Sequence, residues 1–233
     1  MNTFRHLLAP TAIALLLAGC GTHLTGANSV PSNGLRAHSR ETAPALIDGL
    51  RTMAAGLNTF SAIVSFWETD GKDTQTSTAE VYTARPGKIR ANITEASQAL
   101  KRGVKLVYLG DKKVTAKIGF IKKQFDYADP QVTSMHNWRI DQTDLGAMIG
   151  GLTDPAGQAT DLGPVTVNGV AGQAVGVTSP SLLPGVTREV VVLNPTTFMP
   201  LRLEAYIGDK PVYRLEITKA AINPTLPADI FVL

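Results

Sequence analysis

The sequence predicts an α+β fold in which one large antiparallel sheet curves around a few helices. Three observations predict it: an amphipathic helical stretch ahead of the strands, a long succession of period-two segments joined by turn residues, and a second helical patch inserted midway. A helix has one apolar stripe and a strand one apolar face, so strands on both sides of an inserted helix bury most when the helices share one face of the sheet. A closed barrel is the competing arrangement.

The helical stretch comes first. Leu46, Leu50, Met53 and Leu57 recur at spacings of four, three and four, with Ala43, Ala54 and Ala55 beside them and Gly56 near the end. The period then changes to two, as Phe60, Ala62, Val64 and Phe66 alternate with Ser61, Ile63, Ser65 and Trp67. Asp70-Gly71 marks a hairpin turn into a strand at about 74–84, and Arg85-Pro86-Gly87-Lys88 a tight turn into 89–94. A further hairpin joins 104–109 to 114–118 through Gly110-Asp111, after which residues 120–137 show no clean period.

Leu145, Met148, Ile149 and Leu152 predict a short second helix that begins near the capping residues of 141–144, with Gly150-Gly151 weakening its end. Strands return at about 165–167 and 173–177, joined through Asn168-Gly169, a strong hairpin signal. Three more follow at 188–193, 201–207 and 212–220, the last two joined through Gly208-Asp209.

The N-terminus carries a different kind of signal. Arg5 supplies a positive region, residues 7–17 an apolar one and Ala18-Gly19 small residues, which is the order of a secretory signal peptide. The apolar run is shorter than the roughly 20 residues a membrane span needs, so it is expected to be removed. Leu17-Ala18-Gly19-Cys20 matches a lipobox, in which the cysteine is acylated by palmitate-like chains and the chain is cut before it. Cys20 is the single cysteine, so no internal disulfide is expected, and lipidation removes a free thiol from an oxidising compartment. Several acyl chains hold far more firmly than one. The expected organisation is therefore a signal peptide at 1–19, a lipidated Cys20 with a polar flexible tether over 20–42, and one domain over 43–233. Gly21 after the cysteine points to the periplasmic face of an outer membrane in a two-membrane cell, and to the outer face of the plasma membrane in a one-membrane cell.

Composition and motifs bound the chemistry. The net charge of +3 is mild and argues against a nucleic-acid partner. Its distribution is uneven: eight Lys or Arg stand against Asp111 over 101–123, and six Asp against Arg139 over 126–161. No nucleophile elbow, phosphate-binding loop, metalloprotease helix or cysteine pair is present, so no enzyme, metal or cofactor is expected. His136, with Asp126, Asp129, Asp141 and Asp144 near it in sequence, is expected to be a solvated loop histidine and not a metal or acid-base site.

Three stretches carry a family resemblance. They are Leu57-Asn58-Thr59-Phe60-Ser61 after the first helix, the turn from Tyr82 through Arg85-Pro86-Gly87-Lys88 to Arg90, and the pair of late segments Val192-Leu193-Asn194-Pro195-Thr196-Thr197-Phe198-Met199-Pro200-Leu201-Arg202 and Asn223-Pro224-Thr225-Leu226-Pro227-Ala228-Asp229-Ile230-Phe231. In order and spacing the chain resembles the LolA/LolB-like superfamily, which also holds the RseB sensor domain and mycobacterial lipid-binding lipoproteins. That resemblance implies an unclosed antiparallel half-barrel whose concave face, plugged by helices, takes the acyl chains of a lipid or lipoprotein. The lipobox departs from the soluble LolA carrier. The alternative within the same fold is an envelope sensor of the RseB type, with a protein partner and no transported ligand.

On this reading Val64, Phe66, Val81, Ile89, Ile93, Leu106, Tyr108, Val114, Ile118, Leu201 and Leu203 point inward, either against a ligand or into a dry core. Lys105, Lys113 and Lys117 fall on the opposite face of their hairpin, where they are expected to meet anionic headgroups or to form a solvated strand face.

Overall fold

The computed structural model describes residues 42–143, 145–180 and 183–233. The expected signal peptide, Cys20, nearly all of the tether and Asp144 lie outside them. Among the described residues no helix is long and apolar enough to cross a membrane.

Helix α1 (Ala43–Ala55) starts with Pro44 in its first turn, where a missing N–H costs nothing. Its stripe of Ala43, Leu46, Ile47 and Leu50 is buried. The far end is capped by a distant residue: Arg85, from the turn at 85–88, donates to the carbonyls of Ala54 (2.7 Å) and Ala55 (3.3 Å), placing a cation where the helix dipole is negative. One of the family-like turns thus has a mechanical role.

Among the described residues eleven strands form one antiparallel sheet. In chain order they are β1 (Thr59–Thr69), β2 (Thr74–Ala84), β3 (Lys88–Ala96), β4 (Lys105–Tyr108), β5 (Lys113–Ile118), β6 (Ile121–Asp126), β7 (Gln158–Val167), β8 (Val170–Thr178), β9 (Arg188–Leu193), β10 (Pro200–Ile207) and β11 (Lys210–Ile222). Their spatial order runs β6-β5-β4-β3-β2-β1-β11-β10-β9-β8-β7, so β6 and β7 are edges and the sheet does not close. The unclosed form expected from the resemblance is the one observed, and the closed barrel is not. Helix α2 (Leu145–Leu152) lies between the two strand runs and continues through Gly150-Gly151, with Leu145, Met148, Ile149 and Leu152 buried.

Two elements exceed the sequence expectation. Strand β6 occupies part of the aperiodic region; its Ile-Lys-Lys-Gln-Phe-Asp has no alternation because nearly every side chain of this edge is solvated, and lysines on an edge discourage pairing with another chain. Strand β7 extends back to Gln158, because its exposed residues likewise carry no apolar period.

The register places Phe60, Val64 and Phe66 of β1 on the same face as Ala79 and Val81 of β2, Ile89 and Ile93 of β3, and Leu215 and Ile217 of β11. This is the concave face. Over its β1, β11, β10, β9 and β8 part the main core joins both helices and Trp138 to Val175, Val191, Leu203 and Leu215. Over β3–β5 a second cluster of Ile89, Tyr108 and Val114 is covered by Tyr127, Val132 and Ile140 from the segment 127–143, which has neither helix nor strand. On the convex face, the chain after β11 is tied down by Arg90, which donates to the carbonyls of Ile230 (2.6 Å) and Val232 (3.2 Å).

The turn between β9 and β10 shows how closely helix and sheet approach. Asn194 Oδ1 accepts the N–H groups of Thr196 (2.9 Å) and Thr197 (3.0 Å), and the turn sets the Phe198 ring directly on Gly49 of α1. A Cβ at Gly49 would lie inside the van der Waals envelope of that ring. Gly49→Ala is therefore expected to destabilise the protein by ~1–3 kcal/mol through overpacking, outweighing the ~1 kcal/mol gain in helix propensity. Urea unfolding checks this; a more stable variant would mean that the ring moves aside freely.

Candidate binding cavity

Two hollows lie between the concave face and the segment 127–143. The smaller, about 80 Å³, is bordered by Phe60, Val64, Val81, Ile89, Leu145 and Ile217 and is almost wholly apolar. The larger, about 210 Å³, is bordered on one side by Ala79, Ile93, Leu106, Val132 and Trp138 and on the other by Glu68, Gln75, Lys101, Thr133 and Tyr213. Phe66, Ala91, Ile140 and Thr143 border both. A single layer of side chains therefore separates them, and two of its four members come from the segment 127–143.

Neither hollow reaches the roughly 300–1,000 Å³ of sites that enclose a drug-sized ligand. A whole acyl chain fits only if Ile140 and Thr143 withdraw and the two spaces merge. A third hollow, about 690 Å³, lies on the convex side along Ser65, Trp67, Thr76, Thr78 and Arg214. It is broad and open, with many Ser, Thr, Glu and Arg residues along it, and it encloses no acyl chain.

The polar end of the larger hollow is specific in its contacts. Lys101 Nζ donates to Gln75 Oε1 (2.7 Å), and burial lowers its pKa, with nearby Glu68 opposing the shift. Glu68 is buried and accepts the His136 backbone N–H (3.3 Å). Tyr213 is fully buried between Phe66 (6.3 Å) and Trp138 (5.7 Å, edge to face). Burial, reinforced by Glu68, pushes its phenol well above the usual range, so the hydroxyl stays protonated. Neither the Tyr213 hydroxyl nor that of Thr133 has a protein partner among the described residues.

Of the residues expected to point inward, Val64, Phe66, Val81 and Ile89 border the smaller hollow, and Phe66, Ile93 and Leu106 the larger. Tyr108, Val114 and Leu203 lie on the concave face within buried apolar clusters and border neither hollow. Two expectations need correction. Ile118 is 40 % exposed, because it ends β5 beyond the reach of the covering segment. Leu201 leaves the concave face: the register of β10 shifts between Pro200 and Arg202, and Leu201 meets Gly172 beside Val192, on the side opposite Val191 and Leu203.

Lys105 and Lys117 are direct cross-strand partners on the face opposite the hollows, and Lys122 of β6 continues the row. Lys113 is on that face too but pairs with Asp126 (3.6 Å). At the β5–β6 tip, Gly119 adopts a positive φ of 56°, and Phe120 stands 95 % exposed between Ile118 and Ile121. Aperiodic sequence hid this apolar tip. His136 is no free base: its Nε2 lies 2.9 Å from the Thr69 carbonyl, which can only accept, so that nitrogen carries the proton, and the ring stacks on Trp138 at 4.7 Å. Among the described residues no three His, Cys, Asp or Glu side chains gather as metal ligands.

Fold and hollows together define an unclosed antiparallel half-barrel with a roofed apolar concave face. No protein-family model matches the chain, and no curated protein does. Among solved structures it is similar to LprF from Mycobacterium bovis, at 16% identity and a TM-score of 0.50, over 80% of this chain and 97% of that one. It is also similar to the lipoprotein LppX from Mycobacterium tuberculosis (15% identity, TM-score 0.49, 78% and 98%) and to a putative outer membrane lipoprotein-sorting protein domain from Vibrio parahaemolyticus (10%, 0.42, 82% and 96%). The likeness is one of fold alone, that of an unclosed antiparallel half-barrel.

Proposed function

We propose that the chain is an extracytoplasmic lipoprotein, anchored through acylated Cys20, whose half-barrel binds or carries the acyl chains of a lipid or lipoprotein beneath the segment 127–143. The observation that carries this reading is the pair of hollows on the concave face, apolar along their shared wall and parted by one layer of side chains. Acyl chains entering there would remove apolar surface from water at ~25 cal/mol per Å². The segment above them owes its place to side-chain packing and local turns, which is the kind of element that can lift to admit a ligand. The domain, on this reading, carries out no catalysis.

Delivery needs a membrane contact, and the hairpin β5–β6 supplies its chemistry. Phe120 with Ile118 and Ile121 forms an apolar knuckle beside Lys117 and Lys122, a combination that suits the boundary between anionic headgroups and acyl tails.

The test is mass spectrometry of lipids extracted from non-acylated Cys20→Ser protein. Reproducible co-purified acyl lipid is the expected result. Protein that is empty and takes up no acyl probe, but retains an envelope protein, would replace this reading with the sensor reading, which the small size of both hollows favours. In co-sedimentation with anionic vesicles, the double variant Lys105→Glu/Lys117→Glu is expected to lose roughly tenfold or more in binding at ~1 kcal/mol per basic residue, and Phe120→Asp to lose binding as well. Binding indifferent to anionic lipid and to these changes would sink the membrane contact.

A further inference from the structure

We propose that the larger concave hollow ends in a subsite for an uncharged ester carbonyl at the head of an acyl chain, with Tyr213, Thr133 and Lys101 as its donors. The inference rests on the acyl-binding reading above and adds which end of the ligand lies where.

The first argument is an imbalance of donors. Buried hydroxyls in folded proteins nearly always have a partner, and each exception calls for an explanation. Here the residues Tyr213 and Thr133 both border the hollow, and their buried hydroxyls lack a protein partner among the described residues. Lys101 borders it as well; its ammonium has three N–H donors, and the hydrogen bond it makes is to Gln75. Glu68, which borders the same hollow, accepts the His136 N–H and bonds neither hydroxyl. Neither hydroxyl reaches an acceptor among the described residues, and a carbonyl oxygen would be one.

The second argument is charge. Lys101 and Glu68 face the same space with opposite signs, so the subsite is close to neutral overall. A carboxylate would gain Lys101 but meet Glu68 and lose its hydration in a half-closed space. An ester carbonyl meets no such penalty. It can accept from the Tyr213 hydroxyl, which remains a donor at every ordinary pH.

The third argument is direction. From this polar end, Ala79, Ile93 and Leu106 lead to the shared wall of Phe66, Ala91 and Ile140, with the apolar smaller hollow behind it. An acyl chain anchored by its ester at Tyr213 runs along this path. The ester could belong to a glycerolipid or to the diacylglyceryl group of a lipoprotein.

Competition against a bound uncharged fluorescent probe, N-phenyl-1-naphthylamine, tests the subsite with four ligands: 1-monopalmitoylglycerol, a diacylglyceryl-cysteine peptide, palmitate and hexadecane. The protein is the non-acylated Cys20→Ser form and its Tyr213→Phe variant. At least one ester is expected to bind wild type about tenfold tighter than palmitate or hexadecane, and the better of the two identifies the source. Tyr213→Phe is expected to weaken that ester by about fivefold to tenfold and leave hexadecane unchanged, the size of one hydrogen bond. Equal affinities for esters and hexadecane, or a Tyr213→Phe effect identical on all ligands, would overturn the subsite while leaving acyl binding in place. Failure of every ligand, and of the probe itself, would remove the acyl-binding reading instead.

Discussion

Trp138→Ala is expected to lower the unfolding free energy by ~3–5 kcal/mol, the range for truncating a large buried aromatic. Trp138 is 1 % exposed although it sits in a segment without regular structure. Its indole N–H donates to the Pro184 carbonyl (3.1 Å), its ring meets Tyr213 edge-on and stacks under His136, and its backbone carbonyl accepts the Ser134 N–H (3.0 Å). One side chain thus fixes the segment 127–143 to the main core. Alanine there would also extend the larger hollow, since Trp138 is part of its wall. The measurement is urea unfolding of wild type, Trp138→Ala and Trp138→Phe, with phenylalanine expected to recover about half of the loss by keeping apolar bulk without the indole donor. A loss under about 1 kcal/mol would show that the segment unfolds independently of the core, against the usual cost of emptying a core site.

The same residue shows where sequence reasoning stops. Strands buried on one face announce themselves, and the alternation of Phe60, Ala62, Val64 and Phe66 is enough to mark the concave face. Where both faces of a strand are wet, as in β6, no alternation exists to be read. Leu201 and Leu203 look equivalent at spacing two, but a one-residue irregularity in β10 sends them to opposite sides, and nothing local marks that bulge.

The roof of the cavity was less legible still. Trp138, Ile140 and Thr143 follow no period because they pack as single side chains from a loop, and their partners Pro184, Ala91 and Tyr213 are remote in sequence. Lys101 and Glu68 face one hollow only because strand order brings the end of β1 near the turn after β3. Pairings of that kind are properties of topology. The turn motifs were readable for the opposite reason: Asn194 acts within its own loop, so its residue type carries the geometry with it, whereas the reach of Arg85 to the end of α1 is again a matter of topology.

Ala91→Phe is expected to reduce lipid co-purifying with the non-acylated protein by at least about tenfold, while changing stability by about 1 kcal/mol or less, below the usual ~1–3 kcal/mol of overpacking. Ala91 lies between Val81 of β2 and Leu106 of β4 in the register and borders both hollows, so a ring at this position projects into the place where they must join. The ring enters space that is already open, which is why the usual strain is largely avoided. Val114→Phe is the matching control. Val114 is fully buried in the dry cluster with Ile89 and Tyr108, so the same enlargement there is expected to cost ~1–3 kcal/mol and to spare lipid loading. Mass spectrometry of extracted lipid and urea unfolding, run on both variants, separate blocking from unfolding. If Ala91→Phe carries as much lipid as wild type, the chains do not pass beneath Ile140 and Thr143, and the merging of the two hollows is not the route by which this half-barrel takes them up.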